Sequence, residues 1–125
     1  MTTDYRKYVL AWRRRTKIEE ESRKALASKA MEAARRAARI LSAQFGAGRV
    51  ILFGSLAAGT FGKDSDIDLA VAGLPSKDYW KALVKIEEGH GFEINLVPNE
   101  EAHDHIRRAI DDGIVLQPET GHGKS

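Results

Sequence analysis

The chain has 125 residues, of which 42% are hydrophobic and 30% are charged, a composition typical of one soluble globular domain. It contains no cysteine, so disulfide bonds and thiolate metal sites are excluded. Its apolar runs are too short to span a bilayer and its N-terminus lacks the apolar core of a secretory signal. We therefore expect a cytoplasmic protein that makes no membrane contact.

Charge is distributed unevenly along the chain. Residues 1–45 carry 12 Lys and Arg against 5 Asp and Glu, a net of +7, whereas residues 46–125 carry 8 against 13, a net of −5. This asymmetry predicts two parts of different electrostatic character. The basic part could attract RNA, an acidic protein or the chain's own acidic part, and charge alone does not choose among these partners.

The first predicted element is a long helix from about residue 4 to residue 45, a stretch without glycine or proline. A helix of this length would extend roughly 60 Å, whereas a domain of this size has a radius of gyration near roughly 14 Å. It must therefore break, protrude or pack on another chain, and in a protruding helix Tyr8 and Trp12 become candidates for a partner interface. Its second part carries an apolar stripe that predicts packing on a sheet: Leu26, Ala30, Ala33, Ala37, Ile40 and Leu41.

Strands and helices alternate in the remainder of the chain. The predicted strands are residues 49–53, 66–72, 92–97 and 114–116, and the predicted helices are residues 56–58, 77–88 and 100–112. Ser76 is a plausible cap for the helix at 77–88, in which Trp80 and Val84 are expected on the packed face. The predicted fold class is α/β (α+β), a small mixed sheet with helices on one side. A basic helical extension (1–45) precedes the core (46–117), and a flexible tail (118–125) follows.

A glycine-serine turn followed by two aspartates is the most informative pattern. Because side chains alternate along a strand, Asp66 and Asp68 leave one face together and Ile67 leaves the other. Mg²⁺ is usually bound by one or two carboxylates together with substrate phosphate oxygens. The backbone N–H groups of a turn at Gly54 and Ser55 could bind the same phosphates. The pattern predicts phosphoryl or nucleotidyl transfer.

Three segments of the chain carry this pattern in order: residues 50–55 (Val-Ile-Leu-Phe-Gly-Ser), 64–71 (Asp-Ser-Asp-Ile-Asp-Leu-Ala-Val) and 92–97 (Phe-Glu-Ile-Asn-Leu-Val). Together they resemble the DNA polymerase β-like nucleotidyltransferase superfamily, and within it the minimal nucleotidyltransferases found beside HEPN-domain proteins in prokaryotic toxin–antitoxin pairs. Residues 110–116 resemble that family's closing helix and strand. The resemblance covers residues 49–116 and implies the polymerase β-like nucleotidyltransferase fold.

The resemblance also implies a role for each motif. ATP would be the substrate, Mg²⁺ or Mn²⁺ the cofactor, and an acceptor oxygen would attack the α-phosphate with release of pyrophosphate. The implied nucleotide-binding residues are Gly54, Ser55, Lys63 and Ser65. The implied metal ligands are Asp66, Asp68 and Asn95, and the implied catalytic residues are Asp66, Asp68 and Glu93.

The chain departs from the family at its third acidic residue. That residue aligns with Asn95, which is neutral and cannot act as a base near pH 7. Glu93 lies two residues earlier on the same strand face; it could substitute through its longer side chain, or it could sit roughly 7 Å away and be too far. The family often has arginine where this chain has Leu56 and Ala58, so Lys63 is the remaining candidate for that phosphate contact.

Three functions remain open at the level of sequence. By family analogy, the chain is an antitoxin that transfers AMP from ATP to a tyrosine of a cognate HEPN ribonuclease toxin and so silences it. In the first alternative, a catalytically weakened antitoxin neutralises the toxin by contact. In the second, the chain is a small-molecule or RNA nucleotidyltransferase. The basic N-terminal helix is a candidate contact for nucleic acid or for a second copy of the chain.

Overall fold

The computed structural model describes residues 5–117. Its elements in chain order are α1 (Tyr5–Phe45), β1 (Arg49–Phe53), α2 (Gly54–Ala58), β2 (Ile67–Ala72), α3 (Tyr79–Glu87), β3 (Ile94–Pro98), α4 (Asp104–Asp111) and β4 (Ile114–Gln117). Single 3-10 turns precede α3 and α4, at Ser76–Asp78 and Asn99–Glu101. The predicted fold class, a mixed α/β arrangement behind a long N-terminal helix, is confirmed.

The four strands form one sheet in the order β3-β2-β1-β4. β1 pairs antiparallel with β2 and with β4, and β2 pairs parallel with β3 through the α3 crossover. In this register Phe53 lies opposite Asp68, and Asp68 lies opposite Asn95. Because paired residues point to the same face, these three side chains stand in one row across β1, β2 and β3.

The main hydrophobic core lies between the sheet and two helices, α1 and α3. Small alanine side chains on α1 allow the helix backbone to approach the strands closely. The buried residues include Ala30, Ala33, Ala34, Ala37 and Leu41 of α1, Val50, Leu52, Leu69 and Val71 of the sheet, and Ala82 and Ile86 of α3. The alanine stripe predicted to pack on the sheet does so. The second half of the predicted 1–45 extension is therefore part of the core.

A smaller cluster covers the other face of the sheet. It contains Ile51 and Phe53 of β1, Ala70 of β2 and Ile110 of α4. The prediction placed the helices on one side, where α1 and α3 lie, but α4 packs on the opposite face because these apolar strand residues also require cover. Asp68 and Asn95 lie on the α4 face, since their row includes Phe53.

Helix α1 runs unbroken for 41 residues. Its buried residues begin at Ala30, whereas residues 5–25 are exposed apart from the half-buried Thr16. Of the three possibilities that the sequence left open, the structure shows a helix that protrudes from its own core. We call residues 5–25 the N-terminal arm. None of the helices in residues 5–117 combines the length and apolar character needed to span a bilayer.

Several predicted details differ from the structure. Ser76 does not cap α3 through its side chain; it begins the 3-10 turn, and α3 starts at Tyr79. Trp80 and Val84 are 73% and 63% exposed, because they form a second apolar stripe on α3 that points away from the core. The predicted helix at 100–112 divides into the 3-10 turn and α4. The predicted flexible tail at 118–125 lies outside the described residues.

Candidate active site

Gly54 makes the turn from β1 into α2 and lies directly against Asp68. Its φ is +76°, a conformation that residues with a side chain rarely adopt. A Cβ atom at this position would collide with Oδ2 of Asp68. Both the backbone conformation and the close approach therefore require glycine. No side chain caps the start of α2, which leaves its first N–H groups available to a phosphate.

Asp68 is the half-buried carboxylate at the centre of the row. The Nδ2 of Asn95 donates a hydrogen bond to its Oδ1 at 3.2 Å. Burial raises the pKa of Asp68 and the negative charge of Asp66 raises it further, while the hydrogen bond from Asn95 acts in the opposite direction. A cation beside Asp66 and Asp68 would stabilise the ionised carboxylates and so oppose both effects that raise this pKa.

Asp66 and Glu93 lie two residues before Asp68 and Asn95, just ahead of β2 and β3. The N–H of Ile67 donates to the carbonyl oxygen of Glu93 at 3.0 Å, which extends the parallel pairing to this level. A shallow pocket of about 360 Å³ opens here, lined by Lys63, Asp64, Ser65, Asp66, Gly91, Phe92 and Glu93. The structure thus brings four predicted site residues together at the pocket (Lys63, Ser65, Asp66 and Glu93), and Asp68 and Asn95 lie two residues further along β2 and β3.

Ser65 has a structural role in the loop that leads into β2. Its Oγ accepts a hydrogen bond from the N–H of Gly62, and its own N–H donates to the carbonyl oxygen of Gly62, both at 3.0 Å. These bonds close a tight turn around Lys63 and Asp64. The hydroxyl proton of Ser65 remains able to donate to a ligand.

Asp66 and Asp68 are the carboxylates that could share a metal ion at this edge of the sheet, because they point to the same face and Asp66 acts electrostatically on Asp68. Among the described residues, no group of three or more His, Cys, Asp or Glu side chains is placed to hold a metal ion. Glu93 therefore does not join Asp66 and Asp68 in a three-carboxylate site. The available ligands are these two aspartates and the amide oxygen of Asn95. This set fits Mg²⁺, which completes its coordination with water and substrate phosphates.

The turn before β3 contains a residue that the sequence did not single out. His90 donates from Nε2 to the carbonyl oxygen of Ile86 at 2.6 Å, and its Nδ1 accepts from the N–H of Phe92 at 3.1 Å. The flanking glycines, Gly89 and Gly91, both have positive φ. His90 thereby fixes the path of the chain into β3, which carries Asn95. The Gly-His-Gly sequence was the available signal, because two glycines around one polar residue are typical of a constrained turn.

Comparison with known proteins gives one family match and several similar structures. The family model for the nucleotidyltransferase domain matches residues 34–116. No curated protein matches. A structure assigned as a minimal nucleotidyltransferase is 31% identical with a TM-score of 0.56, and the match covers 68% of this chain and 91% of that one.

Two further structures share the fold at lower identity. A toxin–antitoxin solved with AMP-PNP is 23% identical with a TM-score of 0.58, and the match covers 69% of this chain and 74% of that one. A mutant of the toxin–antitoxin MntA–HpeT is 22% identical with a TM-score of 0.55, and the match covers 64% of this chain and 69% of that one.

Proposed function

This chain belongs to the nucleotidyltransferase domain family, and we propose that it transfers AMP from ATP to a hydroxyl group of a protein acceptor, with Mg²⁺ or Mn²⁺ as cofactor. The observation that carries the proposal is the contact between Gly54 and Asp68. It places the turn that would bind phosphate directly against a carboxylate that would bind the metal ion. Phosphates held by the turn would therefore reach the ion held by Asp66 and Asp68.

Each group of the site has a proposed role in this transfer. The N–H groups at the start of α2, together with Ser55, bind the triphosphate, and Lys63 and Ser65 contact it from the pocket. The bound metal ion supplies charge neutralisation on the phosphates. The acceptor oxygen forms a bond to the α-phosphorus, the bond to the bridging oxygen breaks, and pyrophosphate leaves. Glu93, exposed beside Asp66 in the pocket, accepts the proton of the acceptor hydroxyl.

The acceptor that we propose is a tyrosine of a cognate HEPN ribonuclease toxin, which the modification would silence. Two of the similar structures are toxin–antitoxins, and one of them was solved with AMP-PNP, a nucleotide analogue. This likeness supports an antitoxin role and nucleotide binding for the present chain.

Labelling with radioactive ATP tests this function. Wild-type protein, Mg²⁺ and ATP labelled at the α-phosphate are incubated with the purified product of the adjacent gene. We expect that product to be labelled, and labelling to fall by at least about 10²-fold in Asp66→Asn and in Asp68→Asn. Asp78→Asn is the matched control, because Asp78 lies beyond the other end of β2. Unchanged labelling in the two site variants would refute the assignment.

The role of strand β3 needs a separate comparison. If Glu93 accepts the proton, Glu93→Gln should lower the labelling rate about 10²-fold, and Asn95→Ala should lower it much less. A larger effect of Asn95→Ala would show that the amide of Asn95, not the carboxylate of Glu93, is required at this position.

A second candidate function is an antitoxin that acts by contact alone. The observation that favours it is the amide of Asn95, which leaves the site with two carboxylates for one ion. In that case the adjacent gene product would bind tightly to the wild-type protein and to Asp68→Asn alike, and neither would label it.

A further inference from the structure

The N-terminal arm exposes aromatic side chains that its own core does not cover. Tyr5, Tyr8 and Trp12 are 71%, 69% and 63% exposed, and Val9 is 44% exposed. The arm lies outside the region that matches the nucleotidyltransferase domain, which begins at residue 34. The shared fold therefore does not account for these residues.

Tyr5, Tyr8, Val9 and Trp12 form an aromatic stripe, which lies on the same side of α1 as the buried core residues. Eighteen residues make about five full turns of an α-helix, so Trp12 is aligned with Ala30, which is fully buried. By the same spacing, Tyr8 is aligned with Leu26, which packs on the core. The stripe thus faces the inner corner between the arm and the α/β core, and not the outer surface of α1.

This corner lies at the active-site end of the sheet. Where the arm leaves the core, Glu20, Arg23 and Ala27 line a pocket with Gly59 and Phe61. Ile18, Ser22 and Leu26 line an adjoining, mostly apolar pocket of about 280 Å³ with Gly62 and Lys63. This loop joins α2 to β2, and Lys63 also lines the pocket that contains Asp66. A protein held in the corner would therefore contact the loop that carries Lys63, at the same end of the sheet as the reacting groups.

The chemistry of the arm indicates the partner that fits it. Residues 5–18 contain six Lys and Arg and no Asp or Glu, so two arms would repel each other when paired over this stretch. A flat bilayer cannot reach the stripe along its length, because the core stands on the same side of α1. Tyr, Trp and Arg are the residue types that dominate binding energy at protein interfaces. A basic amphipathic helix of this kind fits an acidic groove with an apolar floor.

We propose that the acceptor protein docks an acidic, apolar groove onto the inner face of the arm, and that this contact brings its hydroxyl group to the active site. The inference rests on the proposed function, since it names the surface that recruits the acceptor of that reaction.

Two serine substitutions on opposite faces of the arm test the proposal. Trp12→Ser removes an aromatic residue from the inner face. Leu10→Ser is the matched control, because Leu10 is 61% exposed and lies about 160° around the helix from Trp12. Binding of the purified adjacent gene product is measured by titration calorimetry. We expect Kd to rise at least about tenfold for Trp12→Ser and to change less than about twofold for Leu10→Ser, with binding weaker at high salt.

Three results would overturn the proposal. The first is an equal effect of the two substitutions, or none. The second is a wild-type dimer in sedimentation experiments that Trp12→Ser dissociates, which would assign the stripe to a second copy of the chain. The third is Trp12-dependent binding of a short single-stranded RNA in place of the protein.

Labelling separates this proposal from the proposed function. If the variants bind as expected but none labels the acceptor, the transfer reaction is refuted and the docking surface stands. If Trp12→Ser labels the acceptor with an unchanged KM, the docking surface is refuted and the transfer reaction stands. ATP affinity should be equal in Trp12→Ser and Leu10→Ser, because neither residue belongs to the nucleotide site.

Discussion

Replacing Asn95 by aspartate should reverse the sign of its interaction with Asp68. In the wild-type protein Asn95 donates a hydrogen bond to the Asp68 carboxylate at 3.2 Å. In Asn95→Asp two carboxylates face each other at this point. Two like charges about 4 Å apart repel by about 1 kcal/mol in water and by about 4 kcal/mol at an effective dielectric constant of about 20. Because Asn95 is exposed and Asp68 is half-buried, we expect the free energy of unfolding to fall by about 1–4 kcal/mol at pH 7 without metal.

The loss should depend on pH and on Mg²⁺. Below about pH 3.5 the carboxyl groups become protonated, so the difference from wild type should nearly disappear. At pH 7 excess Mg²⁺ should restore the stability, because a third carboxylate strengthens binding of the ion to the folded state. Urea denaturation in EDTA and in MgCl₂, at both pH values, measures these effects. Labelling of the acceptor should also increase.

A suitable control adds the same negative charge in the 3-10 turn that follows β3. Asn99→Asp lies beyond Pro98, four residues along the chain from Asn95, and should show little Mg²⁺-dependent change in stability. Two results would contradict this prediction: a wild-type unfolding free energy for Asn95→Asp in EDTA, or equal stabilisation of the two variants by Mg²⁺. Either result would mean that residues 68 and 95 do not share a metal site.

Two further predictions concern Gly54 and Asp68. Gly54 and Gly59 both have positive φ, of +76° and +82°, but only at Gly54 would a Cβ meet Asp68. Gly59→Ala should therefore lower the free energy of unfolding by about 1–2 kcal/mol, and Gly54→Ala should lower it clearly more. Only Gly54→Ala should lose ATP binding, as measured by calorimetry. Equal losses of stability and ATP affinity would contradict this view of the turn. Because the native pKa of Asp68 is raised, ionised Asp68 destabilises the native state above that pKa, so Asp68→Asn should have the higher Tm at pH 7. The difference in Tm should shrink as the pH falls through the pKa, and a less stable Asp68→Asn at pH 7 would count against the shift.

The strands were predictable because each is a short apolar run between glycine or polar turns. Residues 49–53 were predicted as a strand and form β1 with the same bounds, and the Asp66 to Ala72 prediction differs from β2 by one residue. The packed face of α3 was harder to predict, because the apolar residues of this helix form two stripes. Periodicity alone does not show which stripe meets the core, and Trp80 proved to lie on the exposed one.

The residues of the candidate site were predictable, but their spatial relations were not. Alternation along β2 places Asp66 and Asp68 on one face without any knowledge of the fold. The pairing of Asp68 with Asn95, however, depends on the register of two strands separated by the α3 crossover. The contact of Gly54 with Asp68 depends on the antiparallel register of β1 and β2. Such contacts between distant residues arise from packing of the whole sheet and leave no local pattern.

The position of the label in ATP distinguishes nucleotidyl transfer from phosphoryl transfer. Wild-type protein, Mg²⁺ and the purified adjacent gene product are incubated in parallel with ATP labelled at the α-phosphate and with ATP labelled at the γ-phosphate. Nucleotidyl transfer predicts that the α-label appears on the acceptor, that the γ-label is released as pyrophosphate, and that Asp68→Asn abolishes both. Transfer of the γ-label to the acceptor, or α-labelling that persists in Asp68→Asn, would contradict the account.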